Sequence, residues 1–155
     1  MERYGCPSKS IRLMTDKLLQ EIKNHIKVSE GLSLMPYEDT HQFLTIGYGR
    51  CLDIRGISKD EAEYLFNNDI KIAVDDVKKI VNRFDELPEQ VKIVLIDLSF
   101  NLGLSKLLKF ENFLDAIDAR DFAKACAELK DSRWWHQVGI RATRNYNLLQ
   151  ECIKD

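Results

Sequence analysis

The sequence predicts an α+β protein, mostly α, in which a small β-lobe interrupts the helices. Three observations predict it. Apolar residues recur at helical spacing over most of the chain. One stretch, 34–48, instead gathers β-formers among Pro36, Gly47 and Gly49. A helix-capping sequence at Ser58 then restarts the helical period. With 155 residues, 45% of them apolar, the chain 1–155 is read as one domain with a core of its own.

The elements follow in order. Met14, Leu18, Ile22 and Ile26 recur every four residues, with Ile11 and Leu19 beside them, and predict a helix over 10–30. Its apolar face is expected to pack on the core. In a β-lobe over 31–57, strands are expected at 34–37 and 43–48, joined by a turn through Glu38, Asp39, Thr40 and His41. Ser58 and Glu61 form a capping box, each satisfying a free amide of the helix start. Ala62, Leu65, Phe66, Ile70, Ala73, Val74, Val77 and Val81 continue as one stripe, predicting a helix over 58–84. At 1.5 Å per residue it would span close to about 40 Å, the length of a strut between lobes. A helical lobe over 85–155 begins at Pro88, suited to a first helical turn, with Val91, Val94, Leu95 and Leu98 behind it. Shorter helices are expected near 106–118, 121–130 and 141–152, with the pair Trp134-Trp135 before Gly139. Two lobes joined by a helix predict a cleft, a common place for a ligand.

Composition narrows the function. Lys plus Arg number 23 and Asp plus Glu 25, so the net charge of −2 argues against a general nucleic-acid binder. No apolar run approaches the roughly 18 residues of a membrane span, so no membrane insertion is expected. The first residues lack a continuous apolar segment, so no cleaved secretory signal is expected either. Cys6, Cys51, Cys126 and Cys152 form no C-x-x-C pair and are expected as reduced thiols. His25, His41 and His136 have no ligand spacing, so neither a metal nor an organic cofactor is implied.

One constellation carries chemistry. Glu30 falls at the end of the first helix, Asp39 in the hairpin turn and Thr45 in the second strand. Two carboxyls facing each other are what glycosidic hydrolysis needs: one protonates the leaving oxygen, the other acts on the opposite face of the sugar. A hydroxyl such as Thr45 could hold the attacking water. Spacing alone leaves open an ordinary pair of surface acids.

The residues around them are more specific. Glu30-Gly31, Tyr37, Asp39 and Thr45-Ile46-Gly47-Tyr48-Gly49 resemble the active-site segment of the phage-type lysozymes, glycoside hydrolase family 24. That family includes the lysozyme of the T-even coliphages. Residues 57–63 and Leu65-Phe66-Asn67 resemble the start of the family's inter-lobe helix. Ser99-Phe100-Asn101-Leu102-Gly103, Ser132-Arg133-Trp134-Trp135 and the pair Arg141 and Arg144 resemble its later motifs. The resemblance runs over 22–150 in the family's order.

It implies a two-lobed lysozyme fold and roles residue by residue. Glu30 would be the general acid, Asp39 the second carboxylate and Thr45 the water-positioning hydroxyl. Arg141 matches an arginine that pairs with the catalytic Glu, expected to orient it more than to tune its acidity. Tyr37, Phe100 and Asn101 would contact substrate. Where the family commonly has His, this chain has Arg50, and an ion pair of Arg50 with Asp69 is expected as the replacement. Only 12 residues separate Thr45 from Ser58, so a trimmed β-lobe and a more open cleft are expected. A longer stretch precedes Glu30 than in the T-even enzyme.

The implied function is an endolysin, cleaving the β-1,4 bond between N-acetylmuramic acid and N-acetylglucosamine of peptidoglycan and lysing the host. Inversion by single displacement is expected, with carboxyls about 6.5–9.5 Å apart. The protein would be a monomer, held in the host cytoplasm until a holin lesion admits it to periplasmic peptidoglycan. A tail-associated or effector lysozyme stays open. Two rivals are a wall-binding protein of the same fold without turnover, and an unrelated helical interaction module using Trp134-Trp135. Neither needs Glu30, Asp39 and Thr45 together.

Overall fold

Thr15 opens the described part of the chain, which in this computed structural model covers residues 15–153. Its hydroxyl accepts the Leu18 N–H at 3.3 Å and starts α1 (Asp16–Glu30), giving a partner to a donor the helix leaves free. The part of the expected helix over 10–14, with Ile11 and Met14, lies outside the described residues, as does Cys6. Gly31 ends α1 at φ +70°, its N–H donating to the Lys27 carbonyl at 3.0 Å. Leu19 and Ile22 are half-buried, Leu18 and Ile26 exposed, and no described residue of α1 is buried. The stripe therefore packs less deeply than its spacing implies.

Those strands are β1 (Ser33–Glu38), β2 (Leu44–Gly47) and β3 (Arg50–Cys51), antiparallel in the order β1-β2-β3. Tyr37 pairs with Thr45 and Glu38 with Leu44, and the register slips between Ser33 and Tyr37. Pro36 lies in the slip, where a residue without an N–H costs the ladder least. β3 and the four-residue α2 (Leu52–Arg55) are additions to the expected hairpin. Both are too short for hydrophobic periodicity to register. Asp53 of α2 accepts the Leu44 N–H at 2.6 Å and ties the new pieces to β2.

The capping box forms as expected. Ser58 N–H donates to Glu61 Oε2 at 2.7 Å, and Glu61 N–H to the Ser58 hydroxyl at 3.2 Å, at the start of α3 (Lys59–Ile80). This helix has 22 residues, about 33 Å by its rise, and stops short of the expected 84. Arg83 turns left-handed at φ +51° and begins a 3-10 turn over Phe84–Glu86. The carboxylate of Asp118 takes the Asn82 N–H and side-chain amide at 3.0 and 2.6 Å, and Arg120 donates to the Arg83 carbonyl. Long-range partners thus hold a stop that the apolar pattern alone would run through.

The chain divides into two compact units between Leu65 and Phe66, within α3. In the first, Thr45 is the one buried side chain among the described residues. The second holds α4 (Glu89–Leu102), α5 (Leu104–Leu107), α6 (Glu111–Asp118), α7 (Phe122–Asp131), α8 (Arg133–Val138) and α9 (Ile140–Gln150). Pro88 stands just ahead of α4 at φ −55°. Leu95, Leu98, Leu107, Phe113, Ile117 and Leu129 are fully buried at the centre of this unit. The expected helix over 106–118 is two helices, because the chain turns at 108–110. The tryptophan pair lies in α8, whose start is capped when the Ser132 hydroxyl accepts the Trp135 N–H at 3.2 Å. Cys51, Cys126 and Cys152 are free thiols. No described helix is long and apolar enough to cross a membrane.

Candidate active site

The first unit gathers the expected chemistry on short connections. Glu30 is the last residue of α1 and is exposed. Its carboxyl lies against Gly49 in the β2–β3 turn: a Cβ built there would overlap Oε2 and stand 2.9 Å from Cδ. One turn earlier in α1, the Lys27 ammonium sits 5.1 Å from the centre of the Tyr48 ring.

Asp39 organises the loop between β1 and β2. Its Oδ1 accepts the N–H groups of His41 at 2.8 Å and Phe43 at 3.0 Å. Its own N–H donates to the Phe43 carbonyl at 3.0 Å, and Gln42 adopts a left-handed φ of +64° to close the turn. The Phe43 N–H, foremost, holds the Asp39 pKa below the ordinary carboxylate value; partial desolvation opposes this, and the His41 N–H and imidazole add to the lowering. Asp39 is therefore set up as a carboxylate. Among the described residues only Oδ1 takes protein hydrogen bonds, leaving Oδ2 for a ligand or water.

Thr45 lies in the central strand, paired across to Tyr37 on one side and Cys51 on the other. It is 3% exposed, and its hydroxyl donates to the Phe43 carbonyl at 3.2 Å. A hydroxyl that gives its proton to a carbonyl keeps its lone pairs as acceptors. Arg50 follows in β3. The expected partner for it was Asp69, which belongs to the second unit; the partner found within the first unit is Glu61, with the Gly56 carbonyl accepting from Arg50 Nε at 2.7 Å. Glu61 was read only as a cap. It takes a carboxylate load from Ser58 and Arg50 together because α2 brings Gly56 and Ser58 back under β3.

The second unit holds the remaining expected residues. Arg141 grips Asp97 with Nε at 2.9 Å and Nη2 at 2.7 Å, and Asn145, 4% exposed, adds a third donor to the same carboxylate at 2.7 Å. Asp97 and Asn145 were not anticipated. The available signal was the four-residue spacing of Arg141 and Asn145, which puts both on one helix face. Phe100 meets Phe66 edge to face with centroids 5.6 Å apart. Asn101 accepts the indole N–H of buried Trp134 at 2.7 Å. Asp69 and Phe100 line a small cavity of about 220 Å³, and Trp134 lines a larger one of about 510 Å³ together with Phe110, Glu128 and Arg133. Gly49 was quoted in the sequence as part of a motif, without a role. Among the described residues no group of three His, Cys, Asp or Glu side chains is placed to hold a metal ion.

An exposed Glu at a helix end, a loop that keeps its Asp ionised and a hydroxyl in the strand between are the parts of a two-carboxylate glycosidase. The model of the phage lysozyme family matches residues 27–148, a span that includes every residue named above from Glu30 to Asn145. The chain belongs to the phage lysozyme family. It is a lysozyme, a glycosidase whose substrate is peptidoglycan. Among its relatives, a protein of Dictyostelium discoideum described as probable T4-type lysozyme 1 is 25% identical over 86% of this chain and 95% of its own length. The endolysin of Bacillus phage B103 is 34% identical over 75% of this chain and 44% of its own. The pre-baseplate central spike protein Gp5 of Enterobacteria phage T4 is 27% identical over 77% of this chain but only 26% of the spike protein.

Proposed function

We propose that this lysozyme hydrolyses the β-1,4 bond between N-acetylmuramic acid and N-acetylglucosamine, with Glu30 as general acid and Asp39 as the second carboxylate. The observation that carries the assignment is the division of labour between the two: Asp39 is held ionised by two backbone N–H groups, while the Glu30 carboxyl rests on bare backbone at Gly49. Glu30 gives its proton to the glycosidic oxygen as the C–O bond breaks. Charge develops on the sugar ring, and a water attacks from the opposite face. Asp39 Oδ2 accepts a proton from that water, and Thr45, whose own O–H donates to Phe43, accepts a hydrogen bond from the O–H that stays on the sugar. Inversion follows from this single displacement. Tyr37, Phe100 and Asn101 contact the glycan, and Arg141 serves the same reaction from α9, where it holds Asp97.

The physiological setting belongs to the same proposal. The protein acts as a monomeric endolysin, waits in the host cytoplasm and reaches the wall through a holin lesion to lyse the host. The phage B103 relative supports this reading. The Dictyostelium discoideum relative favours one alternative, a lysozyme working outside a phage cycle.

The test is turbidity loss and reducing-end release from purified sacculi by wild type, Glu30→Gln and Asp39→Asn. Wild type clears sacculi, and folded Glu30→Gln does not. A wild type no faster than Glu30→Gln removes Glu30 from the chemistry. Mass spectra of the products identify the reducing sugar, and a muramic end is expected. Intracellular expression with and without membrane permeabilisation separates the settings: lysis only on permeabilisation supports the holin route.

A further inference from the structure

Position 49 is glycine for two reasons, and they can be separated. The first is backbone conformation. Gly49 has φ +72°, where any side chain is strained. Gly47, in the same hairpin, has φ +71° and the same requirement. The second reason belongs to Gly49 alone. A Cβ at Gly47 meets nothing within 4 Å, whereas one at Gly49 collides with the Glu30 carboxyl, 2.9 Å from Cδ and 3.5 Å from Cγ. The hydrogen of Gly49 is thus the surface on which that carboxyl rests.

Among the described residues of the first unit, no hydrogen bond or ion pair holds the Glu30 carboxyl. Glu30 ends an exposed helix, and a Glu side chain there has three torsions to explore. The nearest cation on its helix, Lys27, sits at the i, i+3 spacing of an ion pair, yet its ammonium lies over the Tyr48 ring. Tyr48 and Gly49 thus meet two neighbouring side chains of α1 from one turn: Tyr48 engages the Lys27 cation, and Gly49 seats the Glu30 carboxyl.

We infer that Gly49 is a positioning residue for the reaction, its missing Cβ fixing where the Glu30 carboxyl stands. This rests on the reading of Glu30 as general acid. A Cβ at 49 must move the carboxyl carbon from 2.9 Å to the 3.4–4 Å of ordinary contact, a shift of about 0.5–1 Å. Misplacing a reacting group by about 1 Å costs on the order of 100-fold.

The experiment compares Gly49→Ala with Gly47→Ala, which carries the same backbone strain without the collision. On solubilised peptidoglycan, Gly49→Ala is expected to lose kcat by about 100-fold with KM little changed, and Gly47→Ala to stay within about threefold of wild type. Gly49→Asn is measured beside them: Asn tolerates a left-handed φ but keeps the Cβ, so it stays informative if Gly49→Ala fails to fold. Urea unfolding supplies a cycle that does not depend on catalysis. In a Glu30→Ala background, Gly49→Ala is expected to lower the unfolding midpoint no more than Gly47→Ala does. The inference is overturned if Glu30→Gln is inactive while Gly49→Ala and Gly49→Asn keep kcat within about threefold of wild type. An active Glu30→Gln refutes the general-acid reading instead, and Gly49 then has no reaction to position.

Discussion

Replacing Asp97 by Ala strands two donors of α9 at once, and the cost can be worked out. Asn145 is 4% exposed and has given its amide N–H to Asp97 at 2.7 Å. Leaving such a donor without an acceptor costs about 1–3 kcal/mol. The fork from Arg141 adds less. About a third of each of its side chains is open, 35% for Arg141 and 29% for Asp97, so solvent screens the pair and its share is about 0.5 kcal/mol. The expected total is about 2 kcal/mol, about three-quarters of it from the amide rather than the charge. Both tryptophans stand in α8, so fluorescence during urea unfolding reports on this unit. With a slope of about 2 kcal/mol per molar, the midpoint should fall by about 1 M. Arg141→Met should cost about 0.5 kcal/mol and lose most of that cost in about 1 M salt, while the Asp97→Ala loss survives salt. A loss for Asp97→Ala under about 0.5 kcal/mol, or one that salt abolishes, would refute the assignment of its main weight to Asn145.

Two other perturbations check the frame around this network. Phe113 is 1% exposed at the centre of the helical unit, so Phe113→Ala should destabilise it by about 3–5 kcal/mol in the same urea assay, and a loss under about 1 kcal/mol would mean the core collapses around the gap. Glu61 should make the first unit acid-sensitive. The Ser58 N–H and hydroxyl, with Arg50 behind them, hold its pKa below the ordinary Glu value against some desolvation. Stability from such a lowered carboxylate is present above the ordinary range and is lost as pH falls through the lowered value. The Ser58 amide resonance should therefore titrate below the usual Glu range and stop titrating in Glu61→Gln; a midpoint at the ordinary value would sink this reading.

What could be read from the sequence was whatever neighbours in the chain decide. The four-residue period located α1, the capping box located the start of α3, and Pro88 marked the approach to α4, each from contacts a few residues apart. Segments too short to show a period were lost: β3 has two residues and α2 has four. So were stops imposed from a distance. The end of α3 is fixed by Asp118 and Arg120, more than thirty residues on, and nothing in 80–84 announces them. The site divides in the same way. Glu30, Asp39 and Thr45 were recognisable because hairpin, helix end and motif lie within one short segment. The fixed point under Glu30 was in view as a glycine but had no meaning until a carboxyl was found against it. Asp97, Arg141 and Asn145 meet across 44 and 48 residues, a pairing that one sequence does not encode visibly.

The uneven burial of the chain bears on how such an enzyme can change. The buried apolar side chains among the described residues run from Ala73 to Leu149, while before Leu65 only Thr45 is buried. The lobe with Glu30 and Asp39 is stitched by carboxylates gripping nearby backbone: Asp39 to Phe43, Asp53 to Leu44, Glu61 to Ser58. A substitution on its exposed surface meets no packed interior to reject it. Descendants of this sequence are thus freer to try new residues on the exposed surface of 31–57, outside the proposed reacting groups and the positive-φ glycines, than in the packed helical unit. Wall chemistries differ between bacteria, and a lysozyme arranged this way can follow them by drift in its smallest part.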